Sequence, residues 1–343
     1  MKSSYIVLTA KGCAECAQED ICAENLAQNE AIIETEATMI SAGTELSRVF
    51  AIKEGFSYPV RPGYSAVGRV LKKGEGLCDI EVGDKVFYSG PHASVNRFSR
   101  GNKTQGPMIF KIPQDMDAKS ATIITLGLVA MNGVNAADVK LGDTLAVFGL
   151  GAIGIIAAIL FAKLGARVIA IDPVKSRCDL AKSLGIKETL CCNGGEEQVA
   201  ALKSMTDGRG VDIAVDVTGV SAAIESAALA CGPHAQLILL GSPRAPYTSN
   251  LTTLLSAIHM KMIRVIGAFN NLNPVFETEG SRLCVERNFK VVCGLIEQNV
   301  IDANKIISQV ISPAEVQSAY HGLMYDKENY RCVVIDWTSL KEK

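Results

Sequence analysis

Residues 144–172, TLAVFGLGAIGIIAAILFAKLGARVIAID, carry the strongest pattern in the chain. The stretch opens on Leu145, Ala146, Val147 and Phe148, with Gly142 and Asp143 before them and Gly149 after. A short apolar run between turn signals reads as a strand buried on both faces, as in parallel sheets. Gly149, Gly151 and Gly154 then satisfy G-x-G-x-x-G. Residues 155–164 are apolar and rich in helix formers, and Gly165 stands where such a helix stops. Residues 167–171 make a second strand that ends in Asp172. In this order each glycine has a physical task. Gly149 makes the tight turn, Gly151 lets backbone approach a pyrophosphate, and Gly154 lets the helix lie close on the strand. The helix N-terminus, through Gly151, Ala152 and Ile153, offers free N–H groups to phosphates. Asp172 falls 23 residues beyond Gly149, close to the spacing of about 20 for an acid that binds a ribose. A glycine triplet alone would suit any turn in an α/β sheet; in this context it points to a bound dinucleotide.

Outward from that stretch, residues 119–268 alternate strand and helix. Strands are predicted at 188–191, 212–217, 236–240 and 263–267, with helices around 181 and at 196–205, 222–230 and 252–260. Six strands with short crossovers make a doubly wound parallel sheet, whose ligands bind beyond the C-terminal strand ends. That places Gly149, Asp172, Thr218, Gly219, Gly241 and Ser242 along one crevice. Residues 1–118 read differently. Short strands are predicted at 5–8, 31–37, 66–71, 85–88 and 109–112, with a helical turn near 45–50. Glycines and prolines such as Pro59, Pro62, Gly63, Gly90, Pro91 and Pro113 separate them. This spacing argues a barrel-like all-β domain. Ser312, Pro313, Ala314 and Glu315 form a capping box that opens a helix. A β-branched strand at 331–335 is expected to return to the first domain. The expected division is residues 1–125 with 268–343, and residues 126–267.

With 343 residues, 48% of them hydrophobic, the chain has ample core for two domains. Lys plus Arg is 34 and Asp plus Glu is 36, a balance that makes no case for nucleic acid or an anionic membrane. No apolar run approaches a bilayer span, and the first residues lack the apolar core of a signal peptide. The expectation is a cytoplasmic protein with reduced thiols, its 11 cysteines scattered. Cys13 and Cys16 form one C-x-x-C, but a metal site needs a second pair, so small residues around an early hairpin account for it.

Five further segments carry a family resemblance: AGTE at 42–45, RPGYSAVG at 61–68, VGDKV at 82–86, LGD at 141–143 and DVTG at 216–219. With the glycine fingerprint and the order barrel, sheet, barrel-return, they resemble the medium-chain dehydrogenase/reductase superfamily, of the alcohol, sorbitol and threonine dehydrogenase type, along nearly the whole chain. The resemblance implies a GroES-like β-barrel catalytic domain joined to a Rossmann domain that binds NAD(P). It also implies a small-molecule substrate, and a homodimer or homotetramer formed by pairing the strand at 263–267 across a twofold axis. Asp172 favours NAD over NADP, and Arg177 matches a position that touches the ribose and, with Lys175, softens that choice.

The departures from the family are equally informative. Members with catalytic zinc have Cys where Ala42 stands, and His and Glu where Tyr64 and Ser65 stand. The later ligand falls near Thr125, and the lobe of four structural cysteines is missing. The expectation is therefore no metal. Thr44 matches the family hydroxyl that bonds the substrate oxygen. Tyr64, in place of a zinc-binding His, is expected to face the nicotinamide end of a substrate cleft as the acid/base, its pKa lowered by a neighbouring cation such as Arg61 or the oxidised nicotinamide. A packing role for Tyr64 and a solvated one for Arg61 fit the same residues. His92 reads as a supporting or surface histidine. Arg97, Arg100 and Lys103 read as a solvated basic loop or as a greeting for an anionic substrate.

Three functions remain open on the sequence. The first is a zinc-independent NAD-dependent dehydrogenase of a secondary alcohol, such as a polyol or sugar derivative. The second is a zinc-free quinone or enoyl-type C=C reductase. The third is a nucleotide-binding protein without catalysis.

Overall fold

Gly- and Pro-punctuated strands build most of one compact unit, residues 1–125 and 271–343, and alternating strands and helices build a second, residues 126–270. The computed structural model describes all residues except 53, 54, 103–105, 244, 280–282 and 341–343. Lys103 therefore lies outside the described residues.

The first unit starts with an antiparallel hairpin of β1 (Lys2–Ala10) and β2 (Cys13–Asp20), turned at Gly12 with φ of +77°. Next come β3 (Glu30–Ile40), α1 (Ala42–Val49), β4 (Ala66–Lys73), β5 (Lys85–Tyr88), β6 (Val95–Ser99), β7 (Ile109–Lys111) and α2 (Ala118–Thr122). Through α3 (Ile124–Ala136) the chain reaches the second unit: β8 (Thr144–Phe148), α4 (Ala152–Lys163), β9 (Arg167–Asp172), α5 (Lys175–Ser183), β10 (Glu188–Cys191), α6 (Gly195–Ser204), β11 (Val211–Asp216), α7 (Ser221–Ala230), β12 (Cys231–Leu239), α8 (Leu251–Lys261) and β13 (Arg264–Gly267). The first unit is completed by α9 (Val285–Glu297), α10 (Ala303–Ile306), β14 (Gln309–Ile311), α11 (Val316–Tyr325) and β15 (Val333–Asp336).

In the first unit a mixed sheet runs β14-β15-β3-β4-β5-β7, with β6 also paired to β3. The C-terminal strand β15 lies antiparallel to β3, from Val333 opposite Ile40 to Asp336 opposite Ala37. One core cluster of this unit joins Ile6, Leu8, Val49, Tyr320, Val333 and Trp337. The capping box at Ser312 is present, followed by a short 3-10 turn and then α11.

The second unit is a six-stranded sheet in the order β10-β9-β8-β11-β12-β13, and every pairing is parallel. This is the doubly wound order, and its switch point lies at β8, where the chain reverses direction across the sheet. Ala146, Phe148, Ile169, Ile171, Ala214 and Leu237 form its core. Burying each large apolar side chain contributes about 1.5–3 kcal/mol. That is why the strands read as apolar runs. Register then sets the site: Phe148 pairs with Ile171 on one side and Asp216 on the other, and Asp216 pairs with Leu239. The residues that follow each strand therefore emerge at one level. No helix among the described residues is long and apolar enough to cross a membrane.

Candidate functional site

At the C-terminal edge of the parallel sheet, Gly149 turns the chain with φ of +96°, and a Cβ there would meet the Thr218 methyl at 2.6 Å. At Gly154 an added Cβ would lie 1.8 Å from the Gly149 carbonyl, so the first turn of α4 closes onto the glycine loop itself. Gly151, the N-cap of α4, is different. A Cβ there would meet nothing within 4 Å, and glycine has no side chain to cap the helix. The amides of the first turn, including Ala152 and Ile153, thus lack helical partners in front of open space, as an anion site requires. Thr218 and Gly219 follow β11, held to the Asp216 carboxylate through both amides and the Thr218 hydroxyl. Gly241 packs on them, since a Cβ on it would fall 2.3 Å from the Gly219 nitrogen.

Asp172 closes β9 with only 3% of its surface exposed. One carboxylate oxygen accepts the Leu150 amide at 2.7 Å, and the other accepts the Val174 amide at 2.9 Å. Arg177 approaches from α5, its guanidinium 3.6 Å from Asp172, with Nε buried and without a partner. Lys175 does not join them; it pairs with Asp179 on the exposed side of α5. Open space at Gly151, free helix amides, the buried acid and the unpartnered Arg177 Nε together fit a dinucleotide, with phosphates at α4 and a ribose at Asp172.

The first unit gathers hydroxyls. Gly63, at φ of +102°, passes over His92 so closely that a Cβ would lie 2.6 Å from the His92 nitrogen. That passage delivers Tyr64 to the start of α1. Its hydroxyl forms a short hydrogen bond with the Ser41 hydroxyl, and the Thr44 hydroxyl stands 3.4 Å away. Ser41 is the N-cap of α1, yet its side chain does not cap the helix because Tyr64 occupies it. Glu45 serves the cap instead, accepting the Ser41 amide at 2.7 Å on Oε1. Its Oε2 is bonded to His92 Nε2 at 3.0 Å and accepts the Tyr320 hydroxyl at 2.5 Å. Glu45, His92 and Tyr320 are all fully buried.

Sequence reasoning placed Tyr64 beside Thr44, and missed Ser41 and Glu45. A serine before a helix with a glutamate in its first turn was the available signal. The expected lowering of the Tyr64 pKa by Arg61 is corrected. Burial pushes the phenol up, the Ser41 and Thr44 hydrogen bonds pull it down, the Glu45 charge adds to the rise, and Arg48 opposes it; the net shift is upward. Arg61 is not the neighbouring cation. It forms a bidentate pair with Glu19 and lies 3.9 Å over the Tyr5 ring. The basic loop also dissolves: Arg97 sits on β6 paired with Glu30, and Arg100 pairs with Asp79.

Ala42, Tyr64 and Ser65 are the residues that the motif resemblance sets in place of zinc ligands. Ser65 donates to the Thr122 carbonyl at 2.7 Å and accepts from the Thr125 hydroxyl at 2.8 Å. A methyl, a phenol and neutral hydroxyls do not fit zinc, which takes thiolate, imidazole and carboxylate. No group of three or more His, Cys, Asp or Glu among the described residues could hold a metal ion.

The chain matches the family described as zinc-binding dehydrogenase over residues 152–284. It is similar to D-guloside 3-dehydrogenase of Escherichia coli, 33% identical over 53% of this chain, and spans about half of that relative, 52%. Galactitol 1-phosphate 5-dehydrogenase of the same species is 27% identical over 73% of this chain and 80% of its own. The crystal structure of galactitol-1-phosphate dehydrogenase from that species superposes with a TM-score of 0.82 at 20% identity, over 97% of this chain and 99% of the other. A zinc-binding dehydrogenase structure from Sinorhizobium meliloti, bound to NADP, gives a TM-score of 0.79 at 19% identity, over 98% and 99%.

Proposed function

We propose that the chain is a member of the medium-chain dehydrogenase/reductase superfamily and an NAD-dependent oxidoreductase interconverting a secondary alcohol and its ketone without zinc. The substrate class is a polyol or sugar derivative, in keeping with the names of the relatives. One observation carries the reading: the Tyr64 hydroxyl meets the Ser41 and Thr44 hydroxyls, an ionisable phenol within reach of two hydrogen-bonding partners.

When bound, the nicotinamide gives a hydride to the carbonyl carbon or takes one from the alcohol carbon. The oxygen needs one proton in the first direction and loses one in the second. Thr44, exposed on α1, bonds that oxygen and holds it within reach of Tyr64. The Tyr64 phenol, whose raised pKa keeps it protonated at neutral pH, donates to the forming alkoxide. Ser41 bonds the phenol from the other side and stabilises the phenolate that results.

Asp172 sets the cofactor preference. Its carboxylate would accept hydrogen bonds from the ribose hydroxyls of NAD, whereas the 2′-phosphate of NADP would face it. Losing hydrogen bonds to a charged group costs about 1.5–3 kcal/mol, which is at least roughly tenfold in affinity. Equilibrium titration with both reduced cofactors, alongside elemental analysis, tests the assignment. Tighter NADH binding by about tenfold and substoichiometric zinc are expected. Tighter NADPH binding or stoichiometric zinc would overturn it.

A further inference from the structure

We propose that Glu45 is the positioning residue of this site: its carboxylate, held by the Ser41 amide, His92 and Tyr320, fixes the turn that presents Ser41 and Thr44 to the Tyr64 hydroxyl. The inference rests on the reading of Tyr64 as the acid, and deepens it.

Three remote segments meet on this one side chain. Glu45 stands in the first turn of α1, His92 in the loop after β5, and Tyr320 on α11, 275 residues away in sequence. An ionised carboxylate accepts only, and all three of its neighbours here supply N–H or O–H groups. His92 Nε2 is bonded to Glu45, and its Nδ1 is buried and without a hydrogen-bond partner. Tyr320 keeps its proton, because burial and the Glu45 charge both push its pKa well above the ordinary tyrosine value. Glu45 is the acidic side chain of this cluster that bears on Tyr64.

Two consequences follow for the reaction. Ser41 is oriented by its own amide, which Glu45 Oε1 takes up, leaving the Ser41 hydroxyl free for Tyr64. The charged groups that bear on Tyr64 are Glu45, which disfavours the phenolate, and Arg48, which favours it. Glu45 thus helps keep Tyr64 in the proton-donating form.

Glu45→Gln keeps the size, removes the charge and sets an amide NH2, itself a donor, among the groups that donated to the carboxylate, which disturbs the turn. Two readouts decide the matter: ring NMR of isotope-labelled tyrosine, with Tyr64→Phe to identify the Tyr64 signal, and kcat for ketone reduction against pH. In the Gln variant Tyr64 should ionise at lower pH than in the wild type, and the alkaline limb of the rate profile should move the same way. The rate itself should fall roughly 10- to 100-fold from misplaced hydroxyls, with cofactor affinity unchanged. A purely structural Glu45 would lower thermal stability and leave the Tyr64 titration where it was, and that result overturns the proposal. If the wild type turns over nothing, the catalytic reading fails, and the NMR titration still decides whether Glu45 acts on Tyr64. Should the Gln variant not fold, Tyr320→Phe retains the buried ring and removes one donor from the carboxylate. The Tyr64 resonance should then shift, and an unchanged spectrum would count as refutation.

Discussion

Replacing Tyr64 by Phe removes a single oxygen, and the structure separates what that does to stability from what it does to rate. The phenol bonds Ser41 and stands 3.4 Å from Thr44, at a partly exposed position where water can take up the vacated hydroxyls. A net hydrogen bond contributes about 1 kcal/mol, so the variant should unfold with a loss of about that size and bind NADH as before. The rate is another matter. Without the phenol no ionisable group remains among the three hydroxyl residues, and acid–base groups typically contribute about 10² to 10⁴-fold. The fall in kcat should be of that order. The pH profile gives a second check. With the Tyr64 pKa raised above the usual tyrosine value, the phenol holds its proton through neutral pH. Wild-type ketone reduction should stay level there and fail as the phenol ionises in alkali, whereas alcohol oxidation, which needs the phenolate, should rise with pH. The Phe variant should lose both limbs. Steady-state kinetics in both directions, fluorescence titration of NADH and a thermal melt supply all the numbers. A Phe variant with near-normal kcat would refute the role given to Tyr64.

Gly154→Ala should lose about 1–3 kcal/mol of stability and weaken dinucleotide binding, because the new methyl meets the Gly149 carbonyl at 1.8 Å and only movement of the glycine turn relieves it; a normal melting temperature with normal NADH affinity would contradict this. On the sheet edge, β13 has one strand neighbour among the described residues, and Val265, Met262 and Phe269 are exposed. An unpaired apolar edge is a pairing surface. The protein should therefore be a dimer or larger closed assembly by light scattering, and Val265→Lys should shift it toward monomer; a wild-type monomer at micromolar concentration would count against this.

The parallel sheet was legible because its physics is local. Strands buried on both faces must be apolar, so β8 and β9 stand out between their glycines and helices. The first unit hid more. In β6, Val95 and Phe98 are buried while Arg97 and Ser99 face outward, and a five-residue strand with an arginine in it reads as loop. Arg97 looked solvated because Glu30, its partner, belongs to a strand 67 residues earlier. The site divides the same way. Tyr64 and Thr44 stand in short motifs and could be found there. Glu45 was in view as a motif residue, but its importance comes from His92 and Tyr320, and no periodicity reports a contact across 275 residues. The direction of the Tyr64 pKa shift was misjudged for a related reason: burial and the sign of the nearest charge are properties of the packed protein.

The central claim is reversible hydride transfer between a nicotinamide and a carbinol carbon. The most direct measurement is nicotinamide absorbance during incubation of the purified protein with a panel of polyols, sugar derivatives, ketones and enones, with each cofactor. The account predicts that NAD is reduced by at least one polyol or sugar alcohol, that NADH is oxidised by the corresponding ketone, and that chelators leave both rates unchanged. Tight NADH binding with no turnover on any alcohol or ketone, or turnover on enones alone, would contradict it.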